Sequence, residues 1–286
     1  MKGIIVINGY SKTEGIMYQV RRLSEEFNSK NVEIEVVKTT DLLCYIEDNN
    51  IKTNLKADFI VYLDKDPHLA LMLEKLGFRL FNSRKSIEIC DDKIRTHIAL
   101  ANEGINMPVT ISSPLMYYVS EDNFTTKILE VLKFPIVVKE AHGSLGGQVY
   151  LCNNVDELKE TREKLKLKPH LYQEFIKASR GKDTRVIVIG KKVVAAYNRV
   201  SKSDFRSNIE LGGVGEQTVL SNSFIEMAEK VATILNLDYC GIDILSNNGV
   251  PVLCEVNSNA FFTGAEKYTG VNIAKKYVEY ILKVMD

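Results

Sequence analysis

The stretch CGIDILSNNGVPVLCEVNSN, residues 240–259, decides the fold. Asn248-Gly249 is a strong turn signal between two apolar runs, so the segment predicts a β-hairpin. Asp243 and Glu255 lie symmetrically about Gly249, and in register they face each other across the ladder. Asn257, two residues beyond Glu255, points to the same face. Two carboxylates so placed repel, and one pKa rises unless a cation sits between them. An all-oxygen set of this kind suits magnesium, which takes one or two carboxylates plus phosphate oxygens and water. The competing reading is a solvated face that merely carries charge, and alternation alone permits it.

Upstream segments bear on that choice. FPIVVKEAHGSLGG (134–147) puts Lys139 at the end of an apolar strand, before a loop with Gly143, Gly146 and Gly147. Such a loop lets backbone N–H groups approach phosphate, and the lysine adds a point charge. It is neither a P-loop, lacking GKS or GKT, nor a dinucleotide fingerprint; a plain glycine turn is the bland alternative. YQEFIKASRGKDTRVIVIG (172–190) places Glu174 and Phe175 at a strand end, then Asp183 and Arg185, for which a surface ion pair is the simplest account. AAYNRVSKSDFRSN (195–208) adds Arg199, Arg206 and Asn208. Arginines and lysines gathered near a carboxylate pair are what a metal-bound polyphosphate requires.

The rest of the chain sets the frame. Its 286 residues, 45% apolar and 26% charged, suit a globular protein with two or three compact units. Lys plus Arg (37) balances Asp plus Glu (37), which argues against a nucleic-acid-coating role. Five cysteines without CxxC or zinc-like spacing suit a reducing, cytoplasmic setting. The opening MKGIIVINGY is too short an apolar run for a signal peptide or a membrane span. From residue 3 to about 85, β-branched strands alternate with helices, including 12–29 and HLALMLEKLG, as in a small parallel α/β domain. Helices are also expected near 90–103, 121–132, 154–166 and 222–236, with an amphipathic helix closing the chain. The expected units are 1–88 (α/β), 89–170 (a small α+β lid) and 171–286 (strand-rich, with the metal motif).

Taken in order, these pieces resemble the ATP-grasp superfamily and, within it, the RimK-type amino-acid ligases. The resemblance rests on DDKIRT, FPIVVKEAHGSLGG, QEFIKASRGKDTRVIVIG, VVAAYNRV, DFRSN, GIDIL and CEVNSN, from about residue 90 to the end. It implies an ATP site between two α+β subdomains. Lys93 and Lys139 would contact the phosphates, with Gly143, Ser144, Gly146 and Gly147 as the loop over them. Glu174 and Phe175 would form the adenine hinge, and Asp183 would take the ribose hydroxyls. Arg206, Ser207 and Asn208 would line the phosphate and acceptor side, and Arg185 and Arg199 would hold acylphosphate oxygens. Asp243, Glu255 and Asn257 would bind two Mg2+ ions, with Mn2+ as a substitute.

The implied chemistry is ATP-dependent carboxylate–amine ligation through an acylphosphate, adding an amino acid such as glutamate to a small molecule, peptide or protein. The resemblance also implies a homo-oligomer, and leaves a carrier or target protein open as a partner. The chain departs from the pattern after the metal motif, where NSNAFFTGAE puts Phe261 and Phe262 near the expected acceptor side. A nucleotide-binding sensor or scaffold without turnover is the alternative from another class. An ATP-grasp kinase or carboxylase-type subunit is a third, set against the absence of a biotin-carrier segment.

Overall fold

A computed structural model describes residues 1–117, 123–143 and 146–286. The N-terminal segment contains β1 (Lys2–Ile7), α1 (Glu14–Ser29), β2 (Glu33–Lys38), a hairpin of β3 (Cys44–Glu47) and β4 (Asn50–Thr53), β5 (Phe59–Leu63), α2 (Pro67–Lys75) and β6 (Arg79–Phe81). Its sheet runs β2-β1-β5-β6, all parallel. The β-branched run of β1 is explained by burial on both faces. Ile5 and Ile7 pack under α1, while Ile4 and Val6 pack with α2.

Two short helices follow, α3 (Arg84–Asp91) and α4 (Lys93–Leu100), where the periodicity predicts one helix over 90–103. Asp92 makes the break: its extended backbone stops α3, and its carboxylate accepts from the N–H groups of Ile94 and Arg95 to cap α4. The middle sheet has the order β7-β10-β8-β9, built from β7 (Thr110–Ser112), β8 (Ile136–Glu140), β9 (Val149–Cys152) and β10 (His170–Glu174). Helices α5 (Phe124–Val131) and α6 (Val155–Leu165) cover it. The first residues of the helix expected at 121–132 lie outside the described residues. A division at residue 170 falls at the start of β10, yet that strand pairs with β7 and β8, so the middle sheet runs on to Glu174.

The third sheet, β13-β12-β11-β14-β15, is antiparallel. It comprises β11 (Lys182–Ile189), β12 (Lys192–Val200), β13 (Val214–Gln217), β14 (Tyr239–Asn247) and β15 (Val250–Asn257), with α7 (Asn222–Ile234) on one face. Val186, Val188, Ile242, Ile244 and Val256 face α7, and Cys90 and Leu100 from α3 and α4 join this core. Helices 84–100 therefore pack on the third sheet, not on the lid. Finally α8 (Phe262–Thr269) and α9 (Ile273–Met285) fold back to share a core with α1, β1 and β5. Among the described residues no helix is long and apolar enough to cross a membrane.

The hairpin of β14 and β15 has the expected pairing for an unexpected reason. Asn248 (φ 53) and Gly249 (φ 90) both take positive φ, the backbone of a tight two-residue turn. That turn pairs Asn247 with Val250, and an unbroken ladder from it would set Asp243 opposite Cys254. A register shift between Asp243 and Ile244 leaves Cys254 as an extra residue and brings Glu255 opposite Asp243.

Asn82 ties the N-terminal sheet to this hairpin. Its Nδ2 donates to the carbonyls of Tyr239 (2.7 Å) and Ser258 (2.8 Å), and its Oδ1 accepts from the N–H groups of Asp238 (2.6 Å) and Tyr239 (3.1 Å). Asn82→Ala leaves these buried backbone groups unpaired, and urea titration should show a loss of about 2–4 kcal/mol in unfolding free energy.

Candidate active site

Between the middle and third sheets lies a cleft of about 880 Å3. Its apolar end is formed by Pro108, Val137, Phe175, Ile176, Phe205 and Leu245. Its polar end contains Lys93, Lys139, Asp183, Arg199, Asp243 and Glu255.

Sheet register explains the polar end. Glu255 on β15, Asp243 on β14, Arg185 on β11 and Tyr197 on β12 occupy successive opposed positions, and so share one face. Asp183 and Arg199 form a second row, two residues along on the same face. The guanidinium of Arg185 grips Asp243 through Nε to Oδ1 and through Nη2 to Oδ2 (2.9 Å). Arg199 grips Asp183 (2.7 and 2.5 Å) and also reaches Asp243 Oδ2 at 2.8 Å. Burial would raise the Asp243 pKa, but the Arg185 and Arg199 charges outweigh it and hold the carboxyl below its ordinary value. Arg185 thus pairs with Asp243, not with Asp183 on the surface. For Asp243, the cations set against the carboxylate pair are guanidinium groups of the sheet itself.

Glu255 answers to Lys93, whose Nζ lies 3.4 Å away and also donates to the Gly143 carbonyl at 3.0 Å. Lys93 begins α4, and its N–H bonds to the carbonyl of Ala141, so helix and glycine loop are joined at both backbone and side chain. From the opposite side, Arg206 Nη1 donates to the Gly146 carbonyl at 2.6 Å while its guanidinium is braced by Asp204. Gly146 has φ +74, and a Cβ there would meet Asn208 Oδ1 at 2.7 Å, so only glycine permits this approach. Ser207 and Asn208 line the cleft beside it.

Lys139 is the outlier. It is nine-tenths buried, and among the described residues no carboxylate lies within ion-pairing distance; its hydrogen bond is to Cys254 Sγ at 3.8 Å. A desolvated ammonium without a counter-ion calls for an anion in the cleft.

Other expected residues fare differently. Glu174 and Phe175 line the cleft, with Phe175 edge-on to Phe205 at 6.3 Å. Arg185, Gly147 and Asn257 stand outside its lining, and Ser144 lies outside the described residues. Phe262 is fully buried against Tyr239, and Phe261 sits against Gly15 of α1, so core packing accounts for both. His97, Gln173 and Cys254 were not legible as site residues. Gln173 sits inside an apolar strand, His97 is a lone histidine on a helix, and Cys254 reaches the cleft through the bulge.

The donor chemistry of Asp243, Glu255 and Asn257 fits a hard cation. Asn257 Nδ2 is buried without a partner among the described residues, and a half-turn of that amide would put an oxygen in its place, the kind of atom that coordinates such a cation.

Residues 90–281 match the RimK-like ATP-grasp domain. The chain belongs to this family. It is an ATP-grasp ligase forming C–N bonds, and ligases of this fold use ATP and Mg2+. It is 31% identical to human beta-citrylglutamate synthase B over 93% of this chain and 73% of that one. It is likewise 31% identical to a probable alpha-L-glutamate ligase 1 of Shewanella baltica, over 94% and 93% of the two chains. Its fold is similar to that of D-alanine--D-alanine ligase from Bacillus anthracis complexed with ATP, with TM-score 0.75 and 19% identity over 100% of this chain and 97% of that one.

His97 gives the site a pH signature. Burial, then the like charge of Lys139, pushes its imidazole down to about 4. Between its ordinary 6.5 and about 4, the unfolded chain binds a proton that the folded one refuses. This contribution to stability is complete above 6.5 and is lost on acidification, by about 3 kcal/mol. Urea titrations at neutral pH and near the lower value should show that loss in the parent and a flatter profile in His97→Leu.

Proposed function

We propose that the ligase activates a substrate carboxylate with ATP and joins it to the amino group of an amino acid, glutamate foremost. The observation that carries this reading is buried Lys139, an ammonium without a counter-ion among the described residues, in one cleft with the Asp243 and Glu255 pair. The relatives named for citrylglutamate synthesis and for glutamate ligation support glutamate as the amine.

In this reading a carboxylate oxygen attacks the γ-phosphorus, ADP leaves and an acylphosphate forms. The amine nitrogen then attacks the acyl carbon, phosphate leaves, and the amine proton passes to solvent. Lys139 and Lys93 neutralise charge on the transferring group. Gly143, held by Lys93, and Gly146, held by Arg206, lie over the phosphates and help keep water from the acylphosphate. Arg199, pinned between Asp183 and Asp243, is a fixed guanidinium that does not reach out. Asp243, Glu255 and Asn257 would hold two Mg2+ ions, replaceable by Mn2+, which supply further charge neutralisation. Asp183 is assigned to the ribose hydroxyls and the 174–175 backbone to the base. All five cysteines are free thiols, which supports a cytoplasmic setting.

The test supplies ATP, Mg2+ and glutamate with citrate or short peptides as carboxylate partners. Release of ADP and phosphate with a new amide is expected; AMP and pyrophosphate would overturn the mechanism. Tight nucleotide binding that no acceptor converts to turnover would favour the sensor or scaffold alternative. Lys139→Met should lower kcat/KM about 10²–10³-fold.

A further inference from the structure

Asp64 is the first residue beyond β5, and Asn8 is the first beyond β1. The two strands are parallel neighbours with Ile7 opposite Leu63, so both residues stand at the carboxyl ends of the sheet. In the order β2-β1-β5-β6 the chain leaves β1 for one neighbour, β2, and later returns to the other, β5. Helix α1 covers one face of this sheet and α2 the other. An open parallel sheet parts its loops at such a point, and the crevice there is where ligands bind.

Asp64 is a charge without a counter-charge. Only 8% of it is exposed, and it makes no ion pair among the described residues, since neighbouring Lys65 turns its ammonium to Asp91. Its Oδ1 accepts from the Lys65 N–H at 2.7 Å, and both its oxygens accept from Asn8 Nδ2 at 3.2 Å. Oδ1 is thereby saturated, whereas Oδ2 keeps a lone pair. Neutral donors satisfy hydrogen bonding but leave the charge in place, and a buried carboxylate calls for a cation. One carboxylate offers too few hard oxygens for a divalent ion, whereas an ammonium needs only acceptors.

Two connections place this corner beside the carboxylate pair of the cleft. Asn259 Nδ2 donates to the Leu63 carbonyl at 3.0 Å, and Asn259 lies two residues, at most about 7 Å, beyond Asn257. Asp91, which holds Lys65, precedes Asp92 and Lys93, and Lys93 reaches Glu255 at 3.4 Å.

We infer that Asp64, steadied by Asn8, binds the amino group of the amine substrate as its ammonium. The inference rests on the reading that an amine joins an acylphosphate in this site, and it names the residue that selects for that amine. It also gives the N-terminal sheet a part in the reaction. The amine enters from the side of that sheet and gives its proton to solvent before the nitrogen attacks the acyl carbon. A substrate with a hydroxyl in place of the amine carries no charge and leaves Asp64 unpaired. A buried charge denied its partner discriminates strongly between such analogues.

Isothermal titration of the full chain, saturated with Mg2+ and a non-hydrolysable ATP analogue, compares L-glutamate with L-2-hydroxyglutarate. The parent should bind glutamate at least about tenfold more tightly, the effect of one hydrogen bond to a charged group. Asp64→Asn keeps the side-chain shape, removes the charge, and should bring the ratio towards one by weakening glutamate alone. Affinity for the ATP analogue should not change, which a general loosening of the fold would not spare. If Asp64→Asn does not fold, Asp64→Ser, smaller and equally neutral, is read by the same ratio. An unchanged ratio in the folded variant overturns the inference. So does equal binding of the two ligands by the parent, and both outcomes leave the ligase reading intact. Binding of neither ligand by the parent brings down the glutamate reading and this inference with it.

Discussion

Two aspartates and two arginines share the cleft face of the third sheet, and the rest of the site is arranged around their mutual neutralisation. Asp183, Arg199, Asp243 and Arg185 are each almost wholly removed from water. Each would be expensive to bury alone, and any one removed would leave an uncompensated charge in a low-dielectric wall. Bidentate geometry and shared oxygens make the set self-consistent. The wall is therefore rigid before any ligand arrives. In the proposed reaction, a phosphate transferred against it would meet fixed charges rather than side chains that must reorganise.

That rigidity contrasts with the opposite wall. Lys139, on the middle sheet, faces the cleft as a cation with no carboxylate within reach among the described residues. The two walls come from different sheets and meet through α4 and the Arg206 segment, which hold the glycine loop from either side. One sheet thus brings balanced charge and a carboxylate pair, the other an unbalanced cation and apolar lining. The magnesium nucleotide of the proposed reaction, with an apolar base and an anionic tail, would complement both.

Much of the site was legible because strands have a period of two. That period places Asp183 with Arg185, Arg199 with Tyr197, and Glu255 with Asn257 on common faces without knowledge of the fold. The partner choice was not legible. Arg185 and Asp183 are near neighbours in sequence and invite pairing, but adjacent strands offer better bidentate geometry, so each goes to a residue of another strand. The aromatic pair at 261–262 misled for a related reason. Helices α8 and α9 return to the N-terminal core, and a fully buried Phe262 serves that core.

By itself the sequence determined the element types, the hairpin turn at Asn248-Gly249, the lysine and glycine loop, and the family. These depend on local backbone preference and short-range periodicity, which the chain carries in every context. Tertiary structure alone decided which charges neutralise one another, that an extra residue at Cys254 aligns Glu255 with Asp243, and that His97 reaches Gln173 from a distant helix. Such pairings depend on which strands and helices become neighbours. Desolvation then makes the best available partner obligatory, and no local pattern encodes it.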